Sequence, residues 1–237
     1  PEVKKVDIVG SLRRMKETVG DIDIIAATDF PEKVIDAFVK FSGVREIISQ
    51  GDKKATIIHQ ENCQIDLEIL PQSEYGSLLQ HFTGSKEHNV ALRTYGQSKG
   101  YSISEHGIKL PSGRLKKCPD EKDLYGTLKM DWIPPELRED QGEIEAALAH
   151  KLPTIIELQD IKGDLHIHSN WSDGFSTIEE LAQEAEKLGY EYLAIADHTI
   201  GLGVAGGLSE EKLLERQKEI EKIRPKFPAL KILSSVE

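Results

Sequence analysis

The sequence predicts an α+β domain followed by the opening of an α/β barrel, and three observations carry that prediction. Short β-branched runs cluster in the first 70 residues, helical periodicities take over from about residue 74, and a strand–helix–strand rhythm restarts near residue 164. In order, residues 6–9, 22–27, 55–59 and 64–70 read as strands, with one helix near 32–41. Helices follow near 74–81 and 86–99; Pro134-Pro135 then breaks the pattern before a short helix at 142–150. A linker-like stretch, 151–162, leads to a strand at 164–168 and a helix opening at Thr177, where Thr177 and Glu180 have capping-box spacing. A strand at 192–197, a glycine-rich loop at 201–207, a helix within 210–224 and a strand at 231–236 complete the chain.

Composition sets the class. A chain of 237 residues with 38% hydrophobic and 30% charged residues fits one large globular domain or two ordinary ones. No apolar run approaches the roughly 18 residues of a membrane span, and no basic-then-apolar leader opens the sequence, so no membrane partner is expected. Cys63 and Cys118 form neither a paired metal motif nor a disulfide framework, which suits a reducing cytoplasm. The net charge of −11 is unevenly spread: residues 1–130 balance 19 basic against 19 acidic side chains, and residues 131–237 carry 11 against 22. The neutral half therefore keeps cations (Arg93, Lys99, Lys109, Arg114, Lys116, Lys117) for a local phosphate-facing surface.

Two acids, Asp21 and Asp23, stand two apart at the start of an apolar strand, so strand periodicity puts both carboxylates on one face. Asp66 lies in a later strand whose Ile65, Leu67 and Ile69 face away from it. Three converging carboxylates repel one another, and oxygen-only ligands suit Mg²⁺ or Mn²⁺, which also bridge to substrate phosphates. Upstream, Gly10 and Ser11 close a strand-to-helix turn whose N–H groups, with the Ser11 hydroxyl and Arg14, can hold a triphosphate.

This constellation resembles the nucleotidyltransferase superfamily of DNA polymerase beta. The segment His81-Phe82-Thr83-Gly84-Ser85, with His88 and Asn89 in the helix that it opens, resembles the nucleotide-binding segment of family X DNA polymerases. The resemblance continues through Leu92-Arg93, Lys99-Gly100, Glu105-His106-Gly107 and residues 133–138, to Glu143. It implies that Asp21, Asp23 and Asp66 are the catalytic metal ligands and that the Gly84 turn lies against the incoming sugar. Asn89 would hydrogen-bond the base edge, and His88 would lie near the base plane. His81 stands where many members carry Tyr, and Met15 where Gly is more frequent.

A second constellation lies in Asp164-Leu165-His166-Ile167-His168, followed by Asp173, and in Asp197-His198 at the end of the next strand. A His-x-His pair at a strand end with an acid nearby is a signal for Zn²⁺, Mn²⁺ or Fe²⁺. The segment resembles the polymerase and histidinol phosphatase (PHP) domain that bacterial and archaeal family X polymerases carry. The resemblance implies His166, His168, Asp173 and His198 as ligands, Glu237 as a metal-bridging acid, and further ligands downstream of them.

Together these resemblances imply an α+β nucleotidyltransferase palm (1–70), a helical and mixed thumb (71–150), a linker (151–162) and the first part of an α/β PHP-type barrel (163–237), with both ends truncated. The implied activity is gap-filling DNA synthesis in repair, with gapped or primer–template DNA and deoxynucleoside triphosphates as partners. Two other readings are a PHP-type phosphoesterase or 3′–5′ exonuclease, against which the partial ligand set counts, and a non-catalytic DNA-end-binding fragment. An incomplete barrel is also expected to be mobile or to self-associate through its uncovered edge.

Overall fold

The computed structural model describes residues 3–200 and 206–237. The chain separates into two compact units, Pro1–Pro153 and Thr154–Glu237. The first contains β1 (Lys5–Ile8), β2 (Asp21–Ala27), β3 (Val44–Gln50), β4 (Lys54–His59) and β5 (Gln64–Leu70), joined in one sheet of order β1-β2-β5-β4-β3. Its central pair, β2 and β5, is parallel; the other pairs are antiparallel. A parallel neighbour needs a long crossover, and here α2 (Pro31–Val39), β3 and β4 supply it.

Residue parity divides the two faces of this sheet. Ala26, Ala55, Ile57, Leu67 and Ile69 pack against Val34, Ile35 and Val39 of α2. Ile25, Ala27 and Leu70, one step out of phase, pack with Tyr75 and Leu78 of α3 (Tyr75–Thr83). Asp21, Asp23, Thr56 and Asp66 belong to that second phase, so the sheet that buries the core also delivers the acids to one face.

A second core in this unit joins α4 (Lys86–Ser98), α5 (Glu121–Thr127) and α6 (Glu143–Leu148) to a three-stranded antiparallel sheet of β6 (Ser102–Ser104), β7 (Gly107–Lys109) and β8 (Leu115–Lys116). Leu92, Ile103, Ile108, Leu124, Tyr125, Ile133 and Ile144 are its buried members. The helix expected over 142–150 is shorter: Gly142, in the left-handed region at φ 96°, is its N-cap, and His150, also at positive φ (56°), lies beyond its C-cap. Strand β3, absent from the sequence reading, is an exposed edge with two register shifts. The small sheet and α5 are likewise additions to that reading; strands of two or three residues are too short to display alternation.

Two electrostatic locks tie this unit together. Glu121, at the start of α5, takes paired hydrogen bonds from Arg13 at 2.9 and 2.8 Å, one from buried Arg138 at 2.7 Å, and one from Trp132 Nε1 at 3.1 Å. Burial alone would raise its pKa, but the two guanidinium groups outweigh that and hold it down at about 2. Glu143 is also held at about 2, with burial opposed by His88 and by the N–H groups of Gln141 and Asp140.

The second unit holds β9 (Gly163–Ile167), β10 (Tyr192–Ile195) and β11 (Lys231–Ser234) in a parallel sheet of order β11-β10-β9. Helices α7 (Ile178–Lys187) and α8 (Glu210–Ile223) bury Ile178, Ala182, Ile220 and Ile223 against Leu193, Ile195 and Ile232. The capping box is formed: Thr177 Oγ1 accepts from Glu180 N and Glu180 accepts from Thr177 N. Of the glycine-rich loop expected at 201–207, residues 201–205 lie outside the described residues. Among the described residues no helix is long and apolar enough to cross a membrane.

Candidate active site and metal centres

The sheet register puts Asp23 directly beside Asp66 on neighbouring parallel strands, with Asp21 two residues earlier. One carboxylate oxygen from each of Asp21, Asp23 and Asp66 lies within 4.8 Å of the others. Burial, reinforced by repulsion from Asp21 and Asp66, raises the pKa of Asp23 against the lesser pull of Lys54 and Arg14. Gly10, the first residue of α1 (Gly10–Arg13), has φ 64°, and a Cβ there would stand 2.1 Å from Asp23 Oδ2. The glycine is thus required twice, by its conformation and by the close approach of the carboxylate. A hard-oxygen donor set whose mutual repulsion is only partly offset fits a divalent cation of the Mg²⁺ or Mn²⁺ kind.

The segment from Gly10 to Arg14 meets the Phe82–Gly84 turn. Arg13 Nη1 donates to Thr83 Oγ1 at 2.5 Å and Arg14 Nη1 to the Thr83 carbonyl at 2.5 Å. Gly84, at φ 72°, leaves room for Arg14 Nη1, which would lie 3.0 Å from a Cβ. Ser11 sits in the first turn of α1, half-buried beside Gly10. His81 and Phe82 are half-buried with their rings edge to face, centroids 5.1 Å apart. Burial is the main cause that lowers the His81 pKa.

Three nucleotide-site expectations meet internal partners. His88 is fully buried. Its Nδ1 lies 2.6 Å from Glu143 Oε1 and its Nε2 3.1 Å from the Tyr125 hydroxyl. Burial lowers its pKa despite Glu143, which fits a neutral ring donating to the carboxylate and accepting from Tyr125. The face of α4 that carries His88 and Leu92 is turned into the core. Asn89 is also buried, accepting from Gln80 Nε2 and donating to the His81 carbonyl, both at 2.7 Å. Arg14 Nε is paired with Glu139 at 2.9 Å, and Lys16 lies 3.5 Å from the same oxygen. Among the basic residues expected to face phosphate, Lys117 pairs with Glu74 at 2.7 Å and Lys116 donates to Thr127 at 2.7 Å.

In the second unit the five expected ligands converge. His166 Nε2 lies 3.1 Å from His168 Nε2 and 3.2 Å from Glu237 Oε2, and His168 Nε2 lies 3.1 Å from that oxygen. Asp173 approaches His168 Nδ1 at 2.8 Å and His198 Nε2 at 3.4 Å. His198 Nδ1 is buried, 3.3 Å from Glu237 Oε2 but without hydrogen-bond geometry, which leaves a ring nitrogen unpartnered inside a set of N and O donors. That mixed imidazole and carboxylate donor set fits a divalent ion such as Zn²⁺, Mn²⁺ or Fe²⁺.

Support for these side chains comes from Asp197, which adjoins His198 in the sequence, and from Ser169, Ser172 and Arg216, which the sequence did not single out. Fully buried Asp197 accepts from Ser169 N and Oγ at 2.8 Å each, from Ser172 Oγ at 2.7 Å and from Arg216 Nη1 at 2.9 Å. These bonds outweigh burial and keep its pKa low. Arg216 also donates to Ser234 Oγ at 3.1 Å and to the Ser235 carbonyl at 2.6 Å. One buried pair thus joins the loop of Asp173, the end of β10 and the end of β11, the three segments that carry His198, Asp173 and Glu237.

Comparison with known proteins agrees with this division. Residues 78–139 match the family model for the DNA polymerase beta thumb, and residues 164–237 match that for the PHP domain. A DNA polymerase/3′-5′ exonuclease PolX of Bacillus subtilis (strain 168) is 39% identical over 236 residues, which is 98% of this chain and 41% of that protein. DNA polymerase lambda of Rattus norvegicus is 26% identical over 161 residues, 55% of this chain and 28% of that protein. Repair DNA polymerase X of African swine fever virus (isolate Pig/Kenya/KEN-50/1950) is 24% identical over 144 residues, 57% of this chain and 82% of that protein. The chain thus spans less than half the length of the Bacillus and rat relatives.

Proposed function

We propose that this chain, a relative of the family X DNA polymerases that carry a PHP domain, performs DNA-directed nucleotidyl transfer of the repair type. Residues 1–70 are read as palm, 71–150 as thumb, 151–162 as linker and 163–237 as the N-terminal part of the PHP domain. The observation that carries the reading is the gathering of Asp21, Asp23 and Asp66 within 4.8 Å on one sheet face, with Gly10 against Asp23. In the reaction a primer 3′-oxygen bonds to the α-phosphorus of a deoxynucleoside triphosphate and pyrophosphate leaves.

Cations held by the three aspartates supply Lewis-acid activation of the hydroxyl and charge neutralisation of the triphosphate. Asp66, with acceptor capacity left on its carboxylate, draws off the hydroxyl proton. Backbone N–H groups at Gly10 and Ser11, the Ser11 hydroxyl and Arg14 take the phosphates. The Phe82–Gly84 turn lies against the sugar, next to the half-buried His81. Asn89 reaches a base edge only by exchanging its bonds to Gln80 and His81, so that contact belongs to a rearranged α4 start. The test is extension of a primer on gapped DNA with Mg²⁺ or Mn²⁺. Wild-type protein is expected to extend it and Asp66→Ala to lose extension while keeping its thermal midpoint; extension retained by Asp66→Ala removes the reading.

A second reading, a cation site, is favoured by the histidine cluster, in which the triads His166–His168–Glu237 and His168–Asp173–His198 share His168 beside an unpartnered buried nitrogen of His198. The Bacillus relative is named a 3′-5′ exonuclease as well as a polymerase. The assay is degradation of single-stranded DNA with Mn²⁺ by the Asp66→Ala protein. Little turnover is expected, with the cluster acting as a cation site. Clear degradation lost with His166→Ala would instead assign it a complete hydrolytic centre.

A further inference from the structure

Asp66 is set apart from the other two acids by what surrounds it. Thr56 stands directly opposite it on the β4–β5 ladder, and Thr56 Oγ1 donates to Asp66 Oδ1 at 2.5 Å. Gln64, two residues earlier on the same strand face, donates Nε2 to Asp66 Oδ2 at 2.7 Å. Among the described residues neither Asp21 nor Asp23 accepts a side-chain hydrogen bond. A carboxylate oxygen has two acceptor directions, so each Asp66 oxygen keeps one free after these bonds. Both donors are neutral and leave the charge of the carboxylate unchanged.

The placement of Thr56 is specific to this role. Its neighbours Ala55 and Ile57 point into the core below the sheet and are fully buried. Thr56 alone of the three lies on the acidic face, 8% exposed. Its branched Cβ limits rotation about χ1, which aims the hydroxyl along one direction. Three carboxylates within 4.8 Å push one another apart; hydrogen bonds to a charged group, stronger than those between neutral groups, oppose that.

We propose that Thr56 and Gln64 are positioning residues of the nucleotidyl-transfer centre: they hold the plane of the Asp66 carboxylate against repulsion, so that its free acceptor directions stay on the cluster. The inference rests on the reading of the aspartates as the polymerase site. Supporting groups of this kind typically change metal affinity or activity 10–100-fold when removed.

The experiment compares wild type, Thr56→Val, Thr56→Ser, Gln64→Leu and Asp66→Ala in the full chain. It measures Mn²⁺ binding by electron paramagnetic resonance and the rate and nucleotide dependence of single-turnover primer extension. Thr56→Val is expected to slow the maximal rate about 10–100-fold and to weaken Mn²⁺ at this site severalfold. Apparent nucleotide affinity is expected to stay within about twofold, and Thr56→Ser to restore rate and Mn²⁺ binding. A purely structural role of Thr56 would lower the thermal midpoint without this split and without rescue by serine. If Thr56→Val fails to fold, Gln64→Leu carries the same expectation from a half-buried position. Wild-type rate and Mn²⁺ affinity in the folded variants, alongside a dead Asp66→Ala, overturn the inference and leave the polymerase reading standing. Extension by Asp66→Ala overturns that reading itself.

Discussion

At the scale of single residues the site is built by close approaches that only certain side chains permit. Gly10→Ala forces a Cβ to within 2.1 Å of Asp23 Oδ2 at a φ of 64°, so it is expected to cost about 1–2 kcal/mol of stability and to weaken cation binding. A thermal melt with and without Mn²⁺ reads both, and an unchanged Mn²⁺-dependent shift sinks the expectation. Arg14 carries a different conflict, since its Nε is already paired with Glu139. Arg14→Ala is expected to weaken triphosphate affinity about tenfold, as a charge-assisted contact is lost. Glu139→Gln, which takes a negative charge from beside the phosphate site, is expected to tighten it severalfold. Nucleotide titrations that leave both variants at the wild-type value remove Arg14 from the phosphate site. The acids and Gly10 were legible in the sequence because they lie in short motifs whose spacing fixes a common face. Glu139 was not, because 125 residues separate it from Arg14 and no local pattern marks such a contact.

Elements are joined here by buried charge as much as by apolar packing. Glu121 connects Arg13 of α1, Arg138 and Trp132 to the first turn of α5. Its carboxyl titrates near 2 in the folded chain, against an ordinary value of 4.5. A group depressed by folding contributes stability above the unfolded value and loses it as pH falls toward the folded one. Stability is therefore expected to be flat above about pH 5 and to fall between about 4.5 and 2, with Glu143 adding to the same window. Glu121→Gln should flatten part of that slope and cost about 3 kcal/mol at neutral pH, since two guanidinium groups are left short of an anion. Chemical unfolding at pH 7, 4 and 3 measures both; a variant with the wild-type acid slope contradicts the account. The same reasoning explains what the sequence hid. The capping box at Thr177 and Glu180 is a four-residue signal and was read correctly, whereas the His88–Glu143–Tyr125 contact spans α4, α5 and the start of α6. No local pattern marks that contact, and the packing of α4 turns His88 inward.

For the whole molecule, two groups of side chains suited to a cation stand in two compact units with separate apolar cores. In the acidic group Asp66 is hydrogen-bonded by Thr56 and Gln64, and beside the histidines Asp197 is hydrogen-bonded by Ser169 and Arg216; among the described residues the two groups share no hydrogen-bond partner. The histidine ligands were legible because each lies in a tripeptide or at a strand end. Arg216, buried on α8, looked like one more charge of a solvated helix until its carboxylate partner was known. Effects at sites without common partners add within about 0.3–0.5 kcal/mol, which is roughly a twofold change in rate. His168→Ala is accordingly expected to abolish cation binding in the second unit while primer extension stays within about twofold of wild type. Asp66→Ala should do the converse, abolishing extension and leaving the histidine site's affinity for Zn²⁺ or Mn²⁺ unchanged. Calorimetric titration of both variants, after chelation has stripped the protein of metal, gives the two affinities beside the extension rate. A His168→Ala protein that loses extension as completely as Asp66→Ala does would mean that the sites are energetically coupled, and that the second unit has to be loaded with metal before the first can act.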